Sequence, residues 1–166
     1  MSQGFLSRFT FGAGGMRRLL NLWPPFRAAG IRVREIAPDF RSATVELRMR
    51  LFNRNYVGTH FGGSLFAMTD PFFMIMMMKN LGPQYLVWDK EGTVRFLKPA
   101  RGTVVARFQL PEESIAKARA ATESGERHEP KFRVEIVDSD GVTVADVEKT
   151  LYIRKKKVQW NSSTGS

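Results

Sequence analysis

The residues of this chain best suited to chemistry lie in one run, Asn55-Tyr56-Val57-Gly58-Thr59-His60-Phe61-Gly62-Gly63-Ser64-Leu65-Phe66-Ala67-Met68-Thr69-Asp70. Gly62-Gly63 opens a predicted helix. Glycine allows another group to come close to the backbone. The unpaired N–H groups of a first helical turn carry partial positive charge and can hold an oxyanion or polarise a carbonyl. Asp70 follows Gly63 by seven residues, about two helical turns, which returns it to nearly the same face. Its neighbours are apolar, so its carboxylate must be paired, hydrated or raised in pKa. A plainer role competes: Asp70-Pro71 also has the form of a helix start, with Asp as the cap and Pro at the first position.

Other chemistries are poorly served. Gly62-Gly63-Ser64 is not a nucleophile elbow, because Phe66 stands where the second glycine belongs. Gly12-Ala13-Gly14-Gly15 lacks the third dinucleotide glycine and follows no strand. The chain has no cysteine and two histidines, His60 and His128. Disulfides and thiolate metal sites are therefore excluded, and neither a metal nor a cofactor is expected.

The elements that must position these residues follow from pattern. Met16 to Trp23 reads as a short helix stopped by Pro24-Pro25. Ile31 to Ala37 reads as a strand. Residues 44–51 alternate, with Val45, Leu47, Met49 and Leu51 on one face and Glu46, Arg48 and Arg50 on the other. After the Asn/Gly-rich loop 53–63, Ser64 to Leu81 is apolar nearly all round and reads as one buried helix ended by Gly82-Pro83. Its methionines, 68, 74, 76, 77 and 78, are expected in the core. Four strands are predicted at about 85–98, 102–110, 130–138 and 142–154. Lys98 to Gly102 is a turn between the first two, and Asp138-Ser139-Asp140-Gly141 is a hairpin turn between the last two. Glu112 to Ser124 is a polar helix or loop insert, and His128, between acids, is expected at the surface. Hairpin spacing argues for an antiparallel sheet enclosing one apolar helix, hence an α+β fold.

At Asn55 to Asp70 the chain resembles hot-dog-fold acyl-CoA thioesterases of the phenylacetyl-CoA type. Their loop and helix read Asn-x-x-Gly-x-x-His-Gly-Gly and then, after six residues, Asp. Asn55, Gly58, Gly62, Gly63 and Asp70 match without a gap, with Phe61 in the place of the His and His60 one residue earlier. From about Leu19 to Ile153 the chain also resembles a family of thioesterase-like hot-dog domains. Their recurring Asn-Tyr-x-Gly-Thr-His-Phe-Gly-Gly, Met-Thr-Asp-Pro-Phe and Tyr-x-Val-Trp-Asp-Lys segments stand here at 55–63, 68–72 and 85–90.

The resemblance implies an antiparallel sheet wrapped around a long central helix, in dimers or tetramers with sites between protomers. It implies that the Gly63 N–H polarises a thioester carbonyl. Asp70 would act as general base or nucleophile, and Asn55 would bind water or substrate. Such a donor is worth roughly 3 kcal/mol and a general base about 10²–10⁴ in rate. His60, Gly62 and Ser64 flank these groups, and Arg54, Lys98 and Arg101 are loop cations placed to meet coenzyme A phosphates. Two other readings stay open. One is a hydratase or dehydratase on the same fold pairing His60 with Asp70. The other is a non-catalytic acyl-CoA-binding module.

Composition bounds the rest. A chain of 166 residues that is 43% hydrophobic and 25% charged suits a single globular domain and argues against disorder. A loose segment is expected over 1–15, a hot-dog domain over 16–154 and a basic, polar tail over 155–166. The net charge of +10 divides as +7 over residues 1–69, −1 over 70–153 and +4 at Arg154 to Lys157. That favours an anionic partner. No nucleic-acid module accompanies it, and the most apolar stretch, 65–78, is too short to span a bilayer. Six Arg and no acid in the first 34 residues have the look of a mitochondrial presequence, but strand patterning from Ile31 favours a cytoplasmic protein.

Overall fold

Residues 11–156 are described by a computed structural model of the chain. Within the loose segment expected over 1–15, helix α1 (Ala13–Leu22) already begins at Ala13. Residues 1–10 of that segment and 157–166 of the expected tail lie outside the described residues. The proline pair that stops α1 also starts a second helix, α2 (Pro24–Ala29), because proline's fixed φ and missing N–H suit the first helical positions. Two strands follow, β1 (Ile31–Ile36) and β2 (Ser42–Arg48). β2 ends before the alternation does. Leu51 turns into a 3₁₀ segment, Leu51–Asn53, and is 74% exposed, off the face it was expected to share with Val45 and Leu47.

The predicted helix from Ser64 to Leu81 is two helices, α3 (Gly62–Ala67) and α4 (Phe72–Leu81). Pro71 supplies the reason: it has no N–H for the Ala67 carbonyl, and its ring would crowd the preceding turn. The chain tightens instead. Asp70 N–H donates to the Ala67 carbonyl at 3.2 Å, and Thr69 gives the Phe66 carbonyl both its N–H, at 3.0 Å, and its hydroxyl, at 2.7 Å. The Asp70-Pro71 peptide is cis. Pro71, not Asp70, caps α4, so the cap role expected for Asp70 is off by one residue.

Five strands and a helix complete the chain: β3 (Tyr85–Phe96), β4 (Thr103–Gln109), α5 (Glu112–Ala121), β5 (Arg127–His128), β6 (Lys131–Val137) and β7 (Thr143–Lys155). The strands form one antiparallel sheet in the order β1-β2-β4-β6-β7-β3, with β5 pairing β7. The four long strands predicted after residue 84 fall within two residues of β3, β4, β6 and β7 at either end. His128 is half-buried rather than exposed, because it sits on β5 opposite Ile153.

The helical segment packs on the sheet through a line of rings. Phe26 of α2 meets Phe72 at 6.1 Å, Phe72 and Phe73 of α4 meet Phe108 of β4 at 4.9 and 5.2 Å, and Phe73 stacks on Phe132 of β6 at 4.9 Å. Each such pair adds about 0.5–1.5 kcal/mol beyond its burial. Met68, Met76 and Met77 are in this core, whereas Met74 is half-buried and Met78 faces outward.

Gly30 joins α2 to β1 with φ +81°. A Cβ there would lie 2.6 Å from the Asn53 amide nitrogen and 3.0 Å from the Arg48 carbonyl oxygen. Gly30→Ala is expected to cost about 3 kcal/mol, combining left-handed strain with the clash. At Gly102 (φ +65°) a Cβ meets nothing within 4 Å, so Gly102→Ala should cost only about 1 kcal/mol. Urea denaturation of the two variants checks the difference.

Candidate active site

Asp70 lies in the break between α3 and α4, and the sheet brings two further ionisable groups to it. Lys149 on β7 donates from Nζ to Asp70 Oδ1 at 2.8 Å and lies 3.5 Å from Asp89 Oδ1 on β3. The Lys149 side chain is 4% exposed, that of Asp89 20% and that of Asp70 44%. No described group engages the second carboxylate oxygen of Asp70. The ammonium also sits 4.9 Å from the centre of the Phe66 ring, a favourable cation–π placement. Burial pushes the Asp89 carboxyl above its ordinary range and the nearby Asp70 charge adds to this, while Lys149 pulls the other way.

A bulge at Lys90 makes room for this cluster. Asp89 pairs with Leu151, but Glu91 pairs with Thr150 and Gly92 with Lys149. One extra residue in β3 therefore moves its inward face from odd to even positions. Asp89 and Gly92 come to share the face that carries Lys149. Gly92 leaves the needed space: a Cβ there would lie 2.6 Å from the Phe66 ring and 3.3 Å from the Lys149 stem. On the other side Lys149 pairs with buried Phe132 of β6.

Lys149 and Asp89 were missed as site residues by reading the sequence. A signal for the lysine was present. Val147, Leu151 and Ile153 form an apolar period-2 face, and Lys149 stands on it. A cation on such a face needs a partner.

The predicted residues of loop 54–63 fall into two groups. Gly62 and Gly63 open α3. The N–H groups of Ser64 and Leu65 turn back to the Phe61 carbonyl, and among the described residues no carbonyl receives those of Gly62 or Gly63. Both glycines seat aromatic rings: a Cβ on Gly62 would lie 2.9 Å from Phe96, and one on Gly63 would strike Phe61. Gly63 is exposed and Ser64 buried.

Asn55 and His60 are engaged within the loop. The Asn55 amide donates to Thr59 Oγ1 at 2.7 Å and to the His60 carbonyl at 3.2 Å, and its oxygen accepts the Thr59 N–H at 2.9 Å. His60 is 2% exposed. Its Nε2–H donates to the Gly102 carbonyl at 3.0 Å, which fixes the tautomer, and buried Nδ1 has no partner. Among the described residues the ring makes no hydrogen bond to Asp70. Arg101 donates to the Gly58 carbonyl at 3.1 Å, Arg54 bridges His60, and Lys98 is exposed in the adjoining turn.

Burial lowers the His60 pKa from 6.5, against the opposing Gly102 hydrogen bond. A group depressed in the folded state stabilises fully above its unfolded pKa and loses that contribution as pH falls. Wild type should therefore lose stability below about pH 6.5 relative to His60→Gln, by up to about 1.4 kcal/mol per pH unit. Equal urea midpoint shifts for the two proteins from pH 7.5 to 5 would refute this.

Among the described residues no helix is long and apolar enough to cross a membrane. Among curated proteins no sequence match is found. Solved structures match closely in shape. A Pseudomonas aeruginosa protein of unknown function, described as a probable thioesterase, superposes with a TM-score of 0.75 at 20% identity, over 84% of this chain and 93% of its own. A Haemophilus influenzae thioesterase gives 0.64 at 14% identity, over 89% and 93%. A mutant of the phenylacetic acid degradation protein of Thermus thermophilus gives 0.54 at 23% identity, over 78% and 98%. These likenesses establish the hot-dog fold. A family model, described as a domain of unknown function, matches residues 15–153. The chain thus belongs to that family, DUF4442, and has the hot-dog fold.

Proposed function

We propose that the protein hydrolyses the thioester of an acyl-CoA, with Asp70 as the base that activates water or as the nucleophile. The observation that carries this is the carboxylate in the helix break, oriented through Oδ1 by a buried lysine while Oδ2 stays open. In the base route, water oxygen bonds to the carbonyl carbon as Asp70 takes its proton. The Gly63 N–H holds the developing oxyanion. The carbon–sulfur bond then breaks, and the proton passes to the thiolate, leaving a carboxylic acid and a free thiol. A thioester is already activated, so this scheme needs no cofactor. Asn55 shapes the loop, and Arg54, Lys98 and Arg101 around it are the cations offered to coenzyme A phosphates.

The working unit in this reading is a dimer. Among the described residues β3 pairs only with β7, which leaves one side of a twelve-residue strand open. It carries exposed Leu86, Trp88 and Phe96. Such an edge calls for cover, and a second copy would supply the wall that Asp70 faces. Thiol release from a panel of short, long and aromatic acyl-CoAs tests the activity. At least one should be hydrolysed, and no release across the panel would overturn the proposal.

A further inference from the structure

A cleft of about 380 Å³ opens among α1, the end of α2, β1 and the end of β2, with Asp70 absent from its lining. Arg27, Arg32, Arg48 and Arg50 line it, together with Asn21 and Gly30. Arg48 is paired with Glu46 at 3.2 Å, and Glu46 also holds Arg34 at 3.3 Å. Glu46, which also stands opposite Arg32 in the β1–β2 ladder, is thereby engaged twice. Arg27, Arg32 and Arg50 have no acidic partner among the described residues. Three unpaired guanidinium groups around one concavity repel one another unless an anion is present.

The walls are rigid. The Asn21 amide donates to the Val33 carbonyl at 2.9 Å and its oxygen accepts the Val33 N–H at 2.8 Å. Buried Asn53 donates to the Ala29 and Arg48 carbonyls at 2.8 and 2.7 Å and accepts the Arg50 N–H at 2.6 Å. One clamp ties α1 to β1, and the other ties the backbones that carry Arg27, Arg48 and Arg50. The guanidinium groups therefore stand on a scaffold that does not have to be ordered on binding, which lowers its cost.

We propose that this cleft binds a small phosphorylated ligand carrying at least two negative charges. Guanidinium forks match phosphate oxygens in pairs. The volume lies at the small end of the ~300–1,000 Å³ range of ligand pockets, large enough for a diphosphate group, and its concavity suits a small molecule better than a polymer. Two sources share this chemistry: the phosphates of a coenzyme A carrier, or a separate phosphorylated metabolite. The site does not depend on the hydrolytic reading.

Calorimetric titration of the full chain with inorganic pyrophosphate tests it. Binding is expected, weakening as salt rises, and weakening about tenfold in Arg32→Gln and in Arg50→Gln. Both side chains are exposed, so the variants should fold as wild type does. Lys117→Gln on α5 removes one exposed charge elsewhere and should leave the affinity unchanged. Absence of binding, or an equal loss in Lys117→Gln, would overturn the site. Coenzyme A that displaces pyrophosphate identifies the carrier's phosphates as the ligand. Pyrophosphate binding that coenzyme A leaves intact identifies a separate phosphorylated ligand.

Discussion

Asp70→Asn is expected to lower thioester hydrolysis by about 10²–10⁴-fold, the usual worth of a general base. The amide keeps the size and shape of the carboxyl but accepts no proton at neutral pH. Its oxygen can still receive the Lys149 hydrogen bond now made at 2.8 Å, so the helix break should keep its form. The loss should fall on kcat with little change in KM, because the group acts on the reacting water rather than on ground-state binding. Circular dichroism and the urea midpoint should stay near wild type. An Asp70→Asn protein that retained full kcat would remove Asp70 from the chemistry, whatever else the loop contributes.

Lys149→Met should destabilise the fold through charge rather than through packing. Methionine replaces the buried stem with an apolar chain of similar length, so the packing on Phe66 and Phe132 is largely kept and the charge is lost. The carboxylates of Asp70 and Asp89 then face each other without the cation that lies 2.8 and 3.5 Å from them. Breaking a buried ion pair costs about 3–5 kcal/mol. With the Asp70 side chain 44% exposed, water screens part of this, and about 2 kcal/mol is expected.

The loss should depend on pH. Asp89 is already raised from 3.8 by burial and by the Asp70 charge, with Lys149 opposing. Without Lys149 it rises further. A folded state that binds more protons than the unfolded chain loses stability as pH rises through the raised pKa. The deficit of Lys149→Met should therefore be small near pH 4.5 and large near pH 7.5. It should shrink again in the double variant Lys149→Met/Asp89→Asn. Urea midpoints at the two pH values measure it, and a deficit independent of pH would rule out the electrostatic account.

Local and periodic signals were legible without the structure. The alternation that buries Val45 and Leu47, the apolar run from Ser64 to Leu81 and the turns at 98–102 and 138–141 set the order of elements. The loop-and-helix signature at Asn55 to Asp70 pointed to the fold now seen. The break at Pro71 was legible too as a missing N–H, although the resulting geometry was not. Pro71 takes the cap, Asp70 is turned toward the sheet, and the seven-residue spacing from Gly63 no longer runs along one continuous helix.

The sequence by itself therefore determined the α+β order, the buried helical segment and the acid within it, since these follow from propensity and short-range periodicity. The partners of that acid were decided only by tertiary structure. Lys149 lies 79 residues from Asp70, Asp89 joins it only because β3 sets Asp89 opposite Leu151 of β7, and the β3 bulge then puts Gly92 rather than Glu91 across from the lysine. Pairing register is a long-range choice that no local window records. The same holds for Arg27, Arg32 and Arg50. Along the chain they are scattered positive charges, and they line one cleft only because Asn21 ties α1 to β1 and Asn53 ties α2 to the end of β2.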